Sequence, residues 1–195
     1  KSKGDWAFIS HMIEAAEPGS GRVAVVVPHG VLFRGSKEGM IRKAVIEENL
    51  LDAVIGLPAN LFFSTGIPVA ILVFDRSRER GGVNEARKDI LFVDASKEFV
   101  QDKKQNSMND AQIARVTETY RNRQDVDKFA HVASFSEVQE NNFNLNIPRY
   151  VDTFEPEEEV DIDAVQSEID QLEIELAQVR AKMAELLKNI KANFN

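Results

Sequence analysis

The chain has 195 residues, of which 43% are apolar and 29% are charged, as in an ordinary soluble globular protein. No apolar run approaches the roughly 18–20 residues of a membrane span, and the absence of cysteine excludes disulfides, thiolate zinc sites, iron–sulfur clusters and a cysteine nucleophile. The net charge of −8 argues against a simple electrostatic nucleic-acid binder.

The chain begins with a helical pattern followed by a strand pattern. Apolar residues recur at helical spacing over residues 6–16, Asp5 is placed to cap that helix, and the Pro-Gly-Ser-Gly sequence at 18–21 ends it. The β-branched run at 22–28 is typical of a strand buried on both faces.

Three further strand patterns follow a second helix. Residues 40–45 predict the helix, and residues 51–57 and 67–74 predict buried strands. The next strand pattern covers 89–93, and no helical pattern fits between it and the strand before it. We therefore expect these last two strands to form an antiparallel hairpin that closes an otherwise parallel sheet.

The remainder of the body is less regular. Residues 96–108 are loop-like, apolar spacing predicts a helix over about 109–123, and residues 129–150 form short mixed elements. The order of elements indicates half of an α/β sheet.

The tail has the clearest periodicity in the sequence. Residues 151–195 carry 4 basic and 12 acidic groups, so the whole charge excess lies here and the nearly neutral body leaves nucleic acid open as its partner. An acidic segment at 155–163 precedes four heptads in which every a and d position is apolar. A lone helix would expose this seam to water, so we expect a partner subunit or a self-dimer. The seam consists of Ile162, Val165, Ile169, Leu172, Leu176, Val179, Met183, Leu186 and Ile190.

Several motifs carry no chemistry in their context. The Gly-Ser-Gly at 19–21 follows a helix and precedes a strand, the reverse of a dinucleotide-binding loop, and is interpreted as a turn. His11, His29 and His131 are scattered without further ligands nearby, so we predict no metal site. The segment at 146–150 is interpreted as a structural turn.

The loop at 57–68 is more informative. It follows a buried strand, in the zone where open α/β sheets bind ligands, and contains adjacent aromatic residues at Phe62 and Phe63. The simpler interpretation is that both close the core, which we expect of at least one. Alternatively, one of them offers its ring to a flat ligand such as a nucleobase.

Seven short segments occur in an order that spans nearly the whole chain: DWAFI (5–9), VVVPHGVLF (25–33), IR (41–42), AVIGLP (53–58), LFFSTGIP (61–68), ILVF (71–74) and NFNLNIPRYV (142–151). Together they closely resemble the modification (methyltransferase) subunit of type I restriction–modification enzymes. That family methylates adenine N6 in DNA with S-adenosylmethionine. Its glycine-rich cofactor loop and its Asn-Pro-Pro-Phe motif, which lie upstream in the family, do not occur here.

The resemblance implies that the chain is the C-terminal part of such an enzyme subunit, inactive alone. The main cofactor site would lie outside it, and no catalytic residue is assigned. The implied fold is the C-terminal half of a Rossmann-like methyltransferase sheet, with parallel strands and a terminal antiparallel hairpin, followed by a coiled-coil-type helix. Residues 1–95 would complete the α/β core, 96–150 would form a mixed extension, and 151–195 would form an acidic linker and docking helix.

The resemblance also implies site residues and partners. In related adenine methyltransferases an aromatic residue before the last hairpin strand flanks the flipped base, a role that falls on Phe62 or Phe63, with Phe62 slightly preferred. Weaker candidates for the rim of the base pocket are Pro28, His29, Gly30, Thr65 and Gly66. The heptad helix would dock on the specificity subunit within a cytoplasmic complex that binds DNA, with a restriction subunit as a further partner and self-association of the isolated chain as another outcome.

Two other functions remain as alternatives. The chain could be a non-enzymatic α/β scaffold with a coiled-coil oligomerisation helix. An independent small hydrolase has no motif in its support, since no Gly-x-Ser-x-Gly sequence occurs.

Overall fold

The computed structural model describes residues 4–63, 65–153 and 161–193. The chain divides into two compact units, Lys1–Phe154 and Glu155–Asn195. Within the described residues no helix is both long enough and apolar enough to cross a membrane.

The first unit contains both helices and strands, and the second unit is a single long helix within its described residues. The elements are α1 (Asp5–Ala15), β1 (Arg22–Pro28), α2 (Gly30–Phe33), α3 (Ser36–Glu47), β2 (Leu51–Gly56), β3 (Val69–Asp75), a 3₁₀ turn (Arg76–Arg78), β4 (Ile90–Asp94), α4 (Asp110–Asn122), β5 (Ala130–Ala133), α5 (Phe135–Glu140), a second 3₁₀ turn (Ile147–Arg149) and α6 (Ile162–Asn193).

Within the described residues, five strands form one mixed sheet in the order β1-β3-β2-β4-β5. β3 lies between β1 and β2 and is antiparallel to both, whereas β2 and β4 are parallel and β4 and β5 are antiparallel. The predicted hairpin between the third and fourth strands is therefore wrong. Because both edges of β3 are already occupied, β4 pairs with the free edge of β2 instead.

The sheet order also corrects the interpretation of the first strand. Among the described residues β1 pairs only with β3, and its side chains alternate between more and less exposed positions, with Val26 50% exposed. The strand buried along its whole length is β2. A β-branched run therefore indicated a strand correctly, but it did not distinguish a central strand from an edge strand.

Helices cover both faces of the sheet. On one face α1 and α3 pack on a core that includes Trp6, whose indole N–H donates to the Val31 carbonyl at 3.0 Å. On the other face α4 packs through Val116 and Tyr120. Asp5 does not cap α1: Gly4 occupies that position, and Asp5 lies in the first turn, where its carboxylate accepts a hydrogen bond from Arg34.

The segment at 142–151 is structural. Tyr150 stacks on Phe92 of β4 with ring centroids 3.7 Å apart, and its hydroxyl donates to the Asn144 carbonyl at 2.6 Å. Ile147 lies so close to Gly56 that a Cβ at Gly56 would be 2.6 Å from the Ile147 Cδ1. This segment therefore fixes the position of the end of β2, and the interpretation of 146–150 as a structural turn is confirmed.

The helix α6 presents its predicted seam to solvent. The described seam side chains are between 42% and 64% exposed: Val165, Ile169, Leu172, Leu176, Val179 and Met183. Other positions carry polar pairs one turn apart, such as Gln166 with Asp170 at 2.8 Å. The side chains of Ile162, Leu186 and Ile190 and most of the acidic segment at 155–163 lie outside the described residues.

Candidate functional site

The strands β1, β2 and β4 all end at one edge of the sheet. β1 and β2 are each antiparallel to β3, and β4 is parallel to β2, so the three strands share one direction. In open α/β sheets, ligands bind in the crevice beyond the carboxyl ends of such strands. The loops after β2 and β4 are therefore placed to form a binding site.

The loop between β2 and β3 presents two adjacent phenylalanines to solvent. Phe62 is 43% exposed and Phe63 is 87% exposed, so the expectation that at least one of them closes the core is wrong. Phe62 is the better fixed of the two. Its backbone forms a short bridge with Thr65, whose N–H points at the Phe62 carbonyl at 3.5 Å.

A cleft of about 400 Å³ lies beside these rings. Pockets that bind small molecules usually measure roughly 300–1,000 Å³, so the cleft is of a size for one small ligand group. It brings together four of the predicted site residues, Phe62, Phe63, Thr65 and Gly66, with three others. The added residues are Asn60, Lys104 and Gln105.

The other three predicted rim residues lie at the same sheet edge but do not line this cleft. Pro28 pairs with Val69 across the ladder, and the His29 Nε2 lies 3.2 Å from the Val69 carbonyl oxygen. Gly30 begins α2. These residues therefore lie beside the start of β3, directly after the loop that carries the phenylalanines.

Sequence reasoning missed the second wall of the cleft, which comes from the loop between β4 and α4. Asn106 donates from its backbone N–H to the Asn60 carbonyl at 2.8 Å and from its side-chain amide to the Ala59 carbonyl at 2.9 Å. The Gln105 side chain donates to the Leu61 carbonyl. No periodicity marks this loop, and its only local signal was the adjacent basic pair at 103–104.

A buried carboxylate organises the opposite end of β2. Asp52 is the extra residue of a bulge, since its neighbours Leu51 and Ala53 pair with consecutive residues of β3. A bulge re-aims a side chain, and here the Asp52 Oδ1 lies 2.7 Å from the Arg78 Nη1 and 3.0 Å from the Arg123 Nη1. Asp52 and Arg78 are 1% and 0% exposed at their side chains, so water does not share in this interaction.

Tyr120 on α4 completes this buried group, which we call the Asp52 cluster (Asp52, Arg78, Tyr120 and Arg123). Its hydroxyl donates to the Asp52 Oδ2 at 2.5 Å. Burial alone would raise the pKa of Asp52, but this hydrogen bond and the charges of Arg123 and Arg78 outweigh burial and lower that pKa overall. Burial and the neighbouring carboxylate raise the pKa of Tyr120 to about 12. The cluster is therefore a network of ion pairs and a hydrogen bond, centred on Asp52, that links β2, α4 and the turn after β3.

The described ranges contain no group of three or more His, Cys, Asp or Glu side chains arranged to hold a metal ion. His131 instead pairs with two carboxylates, those of Asp125 at 3.3 Å and Glu137 at 3.0 Å.

Comparisons with known proteins identify the family. A family model described as N-6 DNA methylase matches residues 1–159. The type I restriction enzyme MpnII methylase subunit of Mycoplasma pneumoniae is 32% identical over 194 residues, which is 100% of this chain and 34% of that protein. The MjaVIII methylase subunit of Methanocaldococcus jannaschii is 33% identical over 88% of this chain and 29% of that protein.

A solved structure is similar as well. The crystal structure of the type I restriction-modification system methyltransferase subunit from Streptococcus thermophilus aligns with a TM-score of 0.71 and 51% identity, over 78% of this chain and 31% of that one. The chain thus spans about a third of the length of the relatives that it matches. The resemblance stated from the sequence is confirmed. The chain belongs to the N-6 DNA methylase family and is related to the methylase subunits of type I restriction enzymes.

Proposed function

We propose that this chain is the C-terminal part of a DNA adenine-N6 methyltransferase subunit of a type I restriction–modification system. One observation carries the proposal: in a chain of this family, the loop at the carboxyl ends of parallel strands exposes two phenylalanines beside a cleft. As part of a type I restriction–modification system, the protein would act in the cytoplasm.

The chemistry of base methylation explains why such a loop is useful. The N6 amine of adenine is inaccessible to a buried methyl donor while the base is stacked in a duplex, so the base must leave the helix. An extrahelical base loses its stacking neighbours, and an aromatic side chain replaces part of that energy, about 1–3 kcal/mol per base. Phe62 suits this role better than Phe63, because its backbone is held by Thr65 while part of its ring stays open.

The described part of this chain does not match a binding site for the methyl donor. An S-adenosylmethionine site of the family's kind needs a glycine-rich turn that follows a strand and opens a helix. Here the glycines at 19 and 21 follow α1 and precede β1. The described residues therefore do not form such a site, and we propose that the rest of the subunit holds the donor and performs the transfer. Activity of the isolated chain in S-adenosylmethionine binding and adenine methylation would contradict this division.

The helix α6 is proposed to dock on helices of the specificity subunit, which reads the DNA sequence. Its apolar seam is exposed along the described residues, and the tail around it is strongly acidic. Acidic side chains repel phosphates, whereas an apolar seam at heptad spacing matches a helical partner. A restriction subunit would join the same assembly, and the isolated chain could use the same seam to associate with itself.

The stacking role predicts a loss of base flipping when the ring is removed. Phe62→Ala in the complete, assembled subunit should lower the methylation rate by about ten- to a hundredfold, as expected from about 1–3 kcal/mol of lost stacking. The fluorescence of 2-aminopurine at the target position should fall in parallel, because fewer target bases are extrahelical. Phe63→Ala should have the smaller effect.

Phe8→Ala serves as the matched control, since this ring on α1 is 70% exposed and lies outside the cleft. Its methylation rate and 2-aminopurine signal should equal those of the wild type. If neither Phe62→Ala nor Phe63→Ala changes methylation while both variants remain folded, the stacking proposal is wrong.

A further inference from the structure

The cleft beside the phenylalanines has a second wall whose chemistry differs from that of the first. Val100 and Ser107 exchange two backbone hydrogen bonds, of 2.7 and 3.1 Å, so the chain between them forms a short hairpin that we call the lysine hairpin (residues 100–107). Lys103 and Lys104 lie near its tip and are exposed. Lys104 lines the cleft.

The lysine hairpin is hydrogen-bonded to the loop between β2 and β3 that carries the phenylalanines, which we call the aromatic loop (residues 57–68). Its contacts with the loop are the three hydrogen bonds from Gln105 and Asn106 to consecutive carbonyls, those of Ala59, Asn60 and Leu61. These three carbonyls directly precede Phe62. Two of the three bonds come from side-chain amides, so the identity of the residues matters, not only the path of the backbone. These bonds hold the backbone at Lys104 beside the loop that carries the phenylalanines.

The charge of the cleft comes from this hairpin. Among the described residues that line it, Lys104 is the one with a charge, and the rest are aromatic, neutral polar or glycine. Lys104 forms no ion pair within the part of the chain that the structure describes. The nearby Asp102 carboxylate accepts a hydrogen bond from the Lys103 backbone N–H at 2.6 Å.

A cation that lines the same cleft as an aromatic ring matches the two halves of a nucleotide. The base has a face that stacks on an aromatic ring, and the phosphate carries a negative charge that pairs with an ammonium group. Lysine contacts phosphate as a point charge and needs no fixed orientation, which suits the tip of an exposed hairpin.

We infer that Lys104 binds a DNA backbone phosphate next to the nucleotide whose base stacks on the aromatic loop. This inference rests on the proposed function, because it takes the extrahelical base as the occupant of the cleft. The lysine hairpin then acts as a clamp on the sugar–phosphate backbone of the displaced nucleotide, while Gln105 and Asn106 are positioning residues that hold clamp and loop at a fixed distance.

Salt dependence of DNA binding measures such a contact directly. Each neutralised phosphate contributes about 0.9 to the slope of log K against log salt concentration on duplex DNA, or about 0.7 on single strands. For Lys104→Gln in the complete, assembled subunit, we expect this slope to become shallower by about that amount, while Lys104→Arg keeps it. Lys88→Gln, which removes an exposed lysine directly before β4 and therefore at the opposite end of the parallel strands, should leave the slope unchanged.

The fluorescence of 2-aminopurine in the same complexes tests the stacking proposal. The phosphate contact and the stacking role can therefore be refuted independently of each other. We expect Lys104→Gln to lower the 2-aminopurine signal as well, because the extrahelical nucleotide loses its phosphate anchor. An unchanged salt slope for Lys104→Gln overturns the phosphate contact, whatever Phe62→Ala does. A shallower slope with an unchanged 2-aminopurine signal overturns the assigned position, since the lysine would then bind DNA away from the flipped nucleotide. If Phe62→Ala and Phe63→Ala are both without effect, the proposed function of the loop is wrong, and the salt slope still reports on the lysine.

Discussion

Asp52→Asn should lower the free energy of unfolding by about 3–5 kcal/mol, the usual cost of removing one partner from a buried ion pair. The asparagine keeps the size of the side chain but leaves Arg78, which is fully buried, without its counter-charge. Arg123 and the Tyr120 hydroxyl lose the same partner. Urea denaturation of the chain at neutral pH, followed by circular dichroism, measures this loss.

Asp127→Asn is the control, because Asp127 is exposed in the loop before β5. Substitutions at such surface positions usually change stability by no more than about 0.5 kcal/mol. A loss for Asp52→Asn no larger than that of Asp127→Asn would contradict the role of the Asp52 cluster.

The effect of Asp52→Asn on the free energy of unfolding should depend on pH, and the direction follows from the lowered pKa of Asp52. That pKa is lower in the folded chain than in the unfolded chain, where an aspartate titrates at about 3.9. The ionised carboxylate therefore stabilises the fold above that pH, and the stabilisation disappears as the pH falls through the folded pKa. The difference in the free energy of unfolding between wild type and Asp52→Asn should be largest at neutral pH and should disappear as the pH falls below about 4. A gap that does not change with pH would show that the Asp52 charge is not the source of the effect.

The Asp52 cluster also helps to hold β2 in place, because it anchors one of the two ends of this strand. One end of this strand is fixed by Asp52 to α4 and to the turn after β3, and the other end is held under Ile147 at Gly56 before the chain enters the aromatic loop. A binding constellation must be held within a fraction of an ångström by its scaffold, about 0.5 Å. The central strand, secured at both ends, provides such a scaffold for Phe62 and its neighbours.

Local patterns predicted the elements of this fold better than their arrangement. The helix expected over about 109–123 occupies Asp110–Asn122, and its start is fixed by Asn109 and Gln112, which cap each other within a single turn. The order of the strands was not predictable in the same way. Apolar spacing describes the environment of each strand separately, whereas the insertion of β3 between β1 and β2 depends on which strand edges are free.

The site residues also fall into those that the sequence predicted and those that only the fold brings together. The two phenylalanines and Gly66 are recognisable in the sequence, because they lie in a loop after a buried strand. Lys104 and Gln105 lie in a loop about 40 residues further along the chain, and only the shared direction of β2 and β4 brings the two loops to one edge of the sheet. Asp52 was hidden for a related reason: it interrupts an apolar strand, and its arginine partners are distant in sequence.

Replacing Leu172 and Leu176 together by Asp should abolish assembly of the subunit with its specificity subunit. Both side chains lie at the centre of the exposed seam of α6, where a helical partner would bury them. An unpaired carboxylate in an apolar interface costs several kcal/mol, and two of them exceed what a helical interface of this length can offset. Co-purification and analytical ultracentrifugation of the two subunits measure the loss.

A charge-matched variant separates loss of the seam from added negative charge. Gln171→Asp with Gln178→Asp introduces the same two charges seven residues apart, at positions outside the seam, and should leave assembly intact. Far-ultraviolet circular dichroism of both variants establishes that α6 is still helical. If Leu172→Asp with Leu176→Asp assembles as the wild type does, the docking role of α6 is refuted. If the wild-type chain instead forms a homodimer that this pair disrupts while the specificity subunit still binds, the seam serves self-association, because the same apolar surface cannot be buried against two partners at once.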